Sequence, residues 1–532
     1  MYWKTSRYFL LFAGLCGVAC FPVWIVDIFA NQDGIPHLYN AYLLLELLNG
    51  NPAVSEFARL NPNLIPNLTG HWILASMLVV FEPATATKLM VTALYAFFVG
   101  STTWLRTQVA GREGLGVTLL FSAAIGMNWL WLFGFYNFIL GLSLFAIALG
   151  CWWRWREDLT TLRSLALFVL ITLTYFSHLV CFAALLGALG FLTAVQIRVL
   201  PKRSLYLTVL ILALTTPLIF IYLAFSRTGG GLHAEWQFIR EQGIVTQLTA
   251  ADPFAILSRK ALPFIQGFSW AFALLSPTIF IGVLAVGLIL GSVRSLKSEP
   301  TRNGGYWFAV AAILAIAAVF GPDNLGSAHG GYLRERLMLL SLICCLPAIR
   351  VPRSITHRSI AVATLLFIII FQTLALLEYS LRGNTIAAEF AAAKPAIPDQ
   401  MPLASIMFIS NTGRFKPIAE VNFSSYLGIG KNTAVWDNYE FGYYLFPVQL
   451  RHEADREFAS AFRESSVFDL NETDDKVAAR LDRLAAVLER DHQRIDTLLI
   501  WNEQGAVESI RSRWFDPTPY YQSERIRLYR HR

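Results

Sequence analysis

The sequence predicts an all-α polytopic membrane protein of about 11 transmembrane helices (11–13). It also predicts interfacial helices in the first outer loop and a small C-terminal α/β extracytoplasmic domain. Three observations carry this. Of 532 residues, 55% are hydrophobic and only 15% charged, against roughly a quarter charged in soluble domains, and mean hydropathy is +0.50. Apolar runs of about 17–25 residues recur, the length that crosses a hydrocarbon layer of about 30 Å. Beyond about Leu381 the composition turns polar and stays so.

Short basic clusters separate the apolar runs: Lys4/Arg7, Arg106/Arg112, Arg154/Arg156/Arg163, Arg198/Lys202/Arg203, Arg294/Lys297/Arg302 and Arg350/Arg353/Arg358. The net charge of +7 therefore reports topology and not nucleic-acid binding. Under the positive-inside rule these clusters face the cytoplasm. The expected spans are 8–29, 87–105, 115–132, 136–152, 164–178, 180–197, 205–225, 268–291, 306–320, 334–349 and 359–380. Leu15 to Cys20 has the look of a lipoprotein cleavage site, but the apolar run continues to Phe29 and reads as an uncleaved first span.

Trp72–Phe81 is too short to cross and reads as a helix lying at or dipping into the interface. The stretch 164–197 is too long for one pass and has basic residues at both ends, so it folds as a hairpin with its outer tip near Ser177-His178. An inside N-terminus and an odd count put the C-terminal part outside. The outer face then gathers the loop 30–86, loops near Phe133–Asn137, His178, Ser226–Gly267 and Gly321–Leu333, and the tail 381–532. The tail mixes β-like runs (Ala404–Ser410, Thr433–Trp436, Thr497–Trp501, Ile526–Tyr529) with an amphipathic helix around Asp474–Arg490, which suits a small α/β domain. The six cysteines lie in or at the rims of apolar runs and imply neither a disulfide framework nor a CxxC metal site.

Asp33, His37 and Asn40 share one helix face at i, i+4 and i+7. Pro36 suits the first turn of that helix, and Asp33 sits near its N-cap. This face either carries a carboxylate and an imidazole over an embedded substrate, or belongs to an interfacial helix with a capping acid. Leu38 and Leu45 point away from that face. Asp27, inside the end of the first span, is a rival carboxylate that needs a wet cavity or a partner. His71 follows a loop with three Asn and two Pro, Asn61 to Asn67. Arg334 and Arg336 stand at the outer end of a span, against the positive-inside rule; they meet either a lipid-borne phosphate or Glu335 and the headgroups. Asp437-Asn438-Tyr439-Glu440 with Phe441-Gly442-Tyr443-Tyr444 reads either as a sugar-binding cluster or as a segment docking the tail on the membrane part.

The motifs run in the order Asp33-Gly34-Ile35-Pro36-His37, Asn61-Pro62-Asn63 to Gly70-His71, Gly134-Phe135-Tyr136-Asn137-Phe138 with Gly141, Ser177-His178, and Tyr332-Leu333-Arg334-Glu335-Arg336. This order resembles the C-type membrane glycosyltransferases, the superfamily of protein O-mannosyltransferases and lipid A aminoarabinose transferases, and more closely their uncharacterised bacterial relatives. The resemblance implies transfer of a sugar from a polyprenyl-phosphate carrier to a glycan, lipid or protein acceptor at the outer face of a bacterial inner membrane.

It implies Asp33 as general base and places His178 with Arg334 or Arg336 around the donor phosphate; His37, Asn40 and His71 are, by residue type and placement, candidates to bind the acceptor or orient the base. Gly34 stands where such enzymes carry a second acid, and Asn137 where several carry an Asp. These departures from the family pattern favour catalysis without a metal; no cofactor is expected, and the metal is left open. The alternative class is a non-catalytic polysaccharide-assembly or lipid-linked glycan transport protein. A transporter is expected to show charges near the membrane midplane, whereas here the polar groups gather toward one face.

Overall fold

A computed structural model of the chain describes residues 2–226, 302–321, 331–349, 354–410, 415 and 417–532. The expected span 268–291, the loop from 227 to 267, the stretch 322–330, and the basic residues Arg294, Lys297, Arg350 and Arg353 lie outside the described residues. The chain divides into two compact units. One comprises Met1–Phe21, Thr92–Trp131 and Tyr136–Ala375; the other comprises Pro22–Val91, Leu132–Phe135 and Leu376–Arg532.

The protein is mostly helical. Among the described residues five helices are long and apolar enough to cross a membrane: Arg7–Trp24, Pro83–Ala110, Tyr136–Trp155, Lys202–Ala224 and Ile355–Ala396. Leu115–Gly126, Thr161–Ser177, Leu179–Val195 and Gly305–Phe320 are shorter apolar helices. The chain is accordingly read as a multi-pass membrane protein.

Several boundaries differ from those expected, each for a local reason. The run expected as one span over 115–132 breaks after Gly126. There Asn128 donates to the carbonyls of Ile125 and Gly126 at 2.9 and 3.3 Å, and accepts from the Trp131 amide at 3.1 Å. One side chain thus ends one helix and starts the next, Trp129–Phe133. The run over 205–225 is interrupted at Thr216 by Pro217, which lacks the amide hydrogen a continuous helix needs. The last membrane helix extends unbroken from Ile355 to Ala393, beyond the expected end at 380. The hairpin over 164–197 turns at the expected place: His178 closes Thr161–Ser177 and opens Leu179–Val195.

Among the described residues the second unit holds two sheets. In the larger, β2 (Leu403–Ile409) pairs in parallel with β4 (Val467–Asp469) and β5 (Thr497–Trp501). β5 then pairs antiparallel with β7 (Ile526–Arg530), and β7 with β6 (Tyr521–Gln522). β2 and β5 are buried along their whole length, as their mainly apolar sequences require in the middle of a sheet. Thr433–Trp436 forms no strand; Val435 makes one isolated bridge to Leu403.

Helix Glu453–Ser466 buries Phe458 and Phe462, and helix Asp474–Asp491 buries Leu484 and Leu488. Each helix is thus amphipathic at i, i+4 spacing. Both have acidic first turns and a basic last turn, matching the helix dipole. The smaller sheet joins the first loop to the tail: β1 (Ala58–Leu60) runs antiparallel to β3 (Val448–Leu450), with Ala58 opposite Leu450.

Candidate functional site

Asp33 precedes the helix Gly34–Leu48. Its backbone is helical rather than extended (φ −95°, ψ −14°), and its carboxylate caps no amide of that helix. The capping reading of this acid therefore fails. The half-buried Asp33 instead accepts from Asn422 Nδ2 at 3.3 Å, while neighbouring Gln32 accepts from the Ile418 amide at 2.9 Å. The Asp33 amide donates to the Phe133 carbonyl at 2.8 Å. Gly134, next in that loop, has φ +99°, and a Cβ on it would lie 2.4 Å from the Gly34 nitrogen. Only glycine permits both that backbone and that approach.

Further along the helix, His37 and Asn40 face a residue that spacing alone did not single out. His37 Nδ1 contacts Glu440 Oε1, and Asn40 Nδ2 donates to Glu440 Oε2. His71, in the first turn of helix Thr69–Leu78, brings Nε2 within 3.1 and 3.3 Å of the two Glu440 oxygens. Glu440 belongs to a 3-10 turn, Tyr439–Gly442, opened by Asn438, whose side chain accepts from the Glu440 amide. His37, Asn40, His71 and Glu440 are all buried. The segment 437–444 thus docks the tail on the first loop as a turn and not as a strand.

Burial pushes the Glu440 carboxyl up, but the charges of His71 and His37 and their hydrogen bonds outweigh it and hold it below the usual carboxylate range. Burial pulls His37 down, against the attraction of Glu440. The same helix is held at two more points: Tyr39 donates to the Thr433 carbonyl and Tyr42 to Asn432 Oδ1, both at 2.5 Å.

Asp27 does not lie inside the first helix as expected. That helix ends at Trp24, and Asp27 is exposed in the bend that follows, where its charge acts on Lys88. Pro22 leaves the final turn without one helical hydrogen bond, so the helix ends early.

In the first unit, His178 caps the second arm of its hairpin: Nδ1 accepts from the Val180 amide at 3.2 Å. A neutral ring then carries its hydrogen on Nε2. That nitrogen lies 3.1 Å from Arg336 Nη1, itself a donor, and the guanidinium stands 5.4 Å from the Phe138 ring centroid. His178 is buried, and Gly141 lets the helix Tyr136–Trp155 approach it: a Cβ there would lie 3.1 Å from the His178 Cβ. Arg334 and Arg336 both fall in the first turn of helix Leu333–Cys345. Asn137 is buried near the start of Tyr136–Trp155.

The paired-acid metal arrangement does not fit these residues, because Gly34 offers no ligand and Asn137 offers an amide in place of a carboxylate. A different set does come together: His37, His71 and Glu440 present one ligand atom each, all within 4.8 Å of one another.

No protein-family model matches the chain, and no curated protein does. Among solved structures the chain is similar to the archaeal oligosaccharyltransferase AglB from Archaeoglobus fulgidus, in complex with an inhibitory peptide and a dolichol-phosphate. The identity is 10%, the TM-score 0.47, and the match covers 94% of this chain and 70% of that one. It is also similar to ArnT from Cupriavidus metallidurans in the apo state, at 11% identity and TM-score 0.46, covering 99% and 98%. At TM-scores below 0.5, the site's own residues have to carry any functional reading.

Proposed function

We propose that the protein is an inverting glycosyltransferase that moves a sugar from a polyprenyl-phosphate carrier to a cell-envelope acceptor at the outer face of the membrane. One observation carries this reading: His178 Nε2 and Arg336 Nη1, two N–H donors, converge at 3.1 Å. The Arg336 guanidinium sets a positive charge beside this buried imidazole, and a guanidinium is suited to phosphate.

In the reaction, Asp33 takes the proton from an acceptor hydroxyl as that oxygen attacks the anomeric carbon. The bond from that carbon to the carrier phosphate breaks, and the phosphate departs with the electron pair. It leaves as an anion and needs no proton, so a single carboxylate suffices. Arg336 and His178 take up the charge that develops on the phosphate, and Arg334 adds a second guanidinium from the same helical turn. The half-buried setting of Asp33, held by an amide donor and free of capping duty, suits a base that must stay ionised.

The test is a comparison of cell-surface glycans by mass spectrometry. A strain carrying Asp33→Asn should lose the same glycan as a deletion strain, with the variant present in the membrane at normal level. Wild-type glycans in that strain would overturn the assignment.

A further inference from the structure

The ring hydrogen of His71 is committed. Nδ1 lies 3.1 Å from the Asn67 carbonyl oxygen, which can only accept, so Nδ1 is the protonated nitrogen. Nε2 then turns its lone pair toward both oxygens of Glu440, at 3.1 and 3.3 Å. A lone pair facing a carboxylate is repulsive unless a positive charge lies between them. That charge is either a second proton on the ring or a metal ion.

We propose that His37, His71 and Glu440 form a binding site for a divalent metal ion of the zinc type. A metal-bound histidine typically donates its outer ring N–H to a carbonyl, which fixes the tautomer and aims the other nitrogen inward. His71 does this through Asn67. Ligands about 2.0–2.1 Å from a tetrahedral zinc lie about 3.3 Å apart, and the His71-to-carboxylate distances of 3.1 and 3.3 Å already match. The three ligand atoms lie within 4.8 Å of one another, so shifts of about an ångström bring all of them to bonding distance.

Two imidazoles and one carboxylate suit zinc better than calcium or magnesium, which take oxygen ligands. Asn40, donating to Glu440 Oε2, orients the carboxylate as a supporting residue behind a ligand does. The ligands come from three segments: two first-loop helices and a turn of the tail. A bound ion therefore fastens the first loop to the tail and leaves one coordination position for an oxygen of water or substrate. This set is separate from the carboxylate assigned as base, and its failure would leave the transferase reading standing.

The experiment uses the full-length protein in detergent, stripped with a chelator and titrated with zinc chloride. The expected result is uptake of one equivalent per chain and a rise of several degrees in melting temperature. Zinc-edge X-ray absorption of the reloaded wild type should show nitrogen and oxygen ligands with an imidazole signature. His71→Ala and Glu440→Gln should each lose the equivalent. If those variants do not fold, the wild-type stoichiometry and absorption spectrum decide alone. No stoichiometric uptake, sulfur ligation, or undiminished uptake by folded His71→Ala overturns the proposal and leaves a proton as the cation between His71 and Glu440.

Discussion

Asn422 donates its side-chain amide to Asp33 at 3.3 Å, and this bond joins two residues 389 positions apart in sequence. It keeps the carboxylate in one place without neutralising it. Asp33→Asn retains the shape and removes the base, so transfer should fall by about 10²–10⁴-fold, the usual contribution of a general base. Melting temperature and membrane level should stay near wild type. Undiminished transfer in a single-turnover assay with a lipid-linked sugar would remove Asp33 from the chemistry.

The convergence of Arg336 on His178 makes a second prediction. Arg336→Ala should lower kcat/KM for the lipid-linked donor by about 10–100-fold, the worth of one charge-assisted hydrogen bond. Arg336→Lys should recover part of it, since a point charge remains but the planar fork does not. Equal activity of all three proteins would remove the guanidinium from donor binding.

A third prediction concerns Gly134 and has a built-in control. Gly134→Ala places a methyl group 2.4 Å from the Gly34 nitrogen at φ +99°. The cost should be about 1–3 kcal/mol from backbone strain alone, with the clash added. Gly50 also has a positive φ, +74°, but a Cβ there meets nothing within 4 Å. Gly50→Ala should therefore cost only about 1–2 kcal/mol. Thermal unfolding in detergent distinguishes the two, and equal melting temperatures would contradict the close approach.

Asp437 supplies the pH dependence. It is buried and accepts from the Ser405 amide at 3.1 Å, from the Ser405 hydroxyl at 2.6 Å and from Ser424. Burial raises its carboxyl above 3.8, with the serine hydrogen bonds opposing. The unfolded chain then ionises first as pH rises. Stability contributed by this group is full below 3.8 and is lost as pH climbs through the raised folded value. Asp437→Asn lacks that titration. The wild-type advantage over this variant should shrink across that window and stay flat at higher pH. A constant difference in melting temperature from pH 4 to 7 would contradict it.

The sequence made legible whatever depends on local pattern. Thr497–Trp501 and the helix near Asp474–Arg490 follow from apolar runs and amphipathic spacing, and both form close to where they were expected. The His178 hairpin tip follows from basic residues at both ends of an overlong apolar run. The break at Asn128 was hidden because one polar residue among apolar neighbours barely lowers the average hydropathy. It acts through three hydrogen bonds instead.

His37 and Asn40 stood out by sharing a helix face, but nothing near them in sequence pointed to Glu440. Its aromatic and acidic surroundings marked the segment without naming its partners. A contact between residues some 400 positions apart leaves no periodicity to read.

The pairing of β1 with β3 also sets a timetable. Ala58 cannot meet Leu450 until nearly the whole chain has been made. At about 5–20 residues per second, the first loop waits roughly 20–80 s for its partner strand. Throughout that interval its helices stand exposed to proteases and to whatever assists insertion. The transferase reading then carries a safeguard, because no partly synthesised chain holds Asp33 against Asn422. A chain truncated at residue 400 should insert its helices yet show a protease-sensitive first loop. Resistance equal to that of the full chain would mean that the loop folds without the tail.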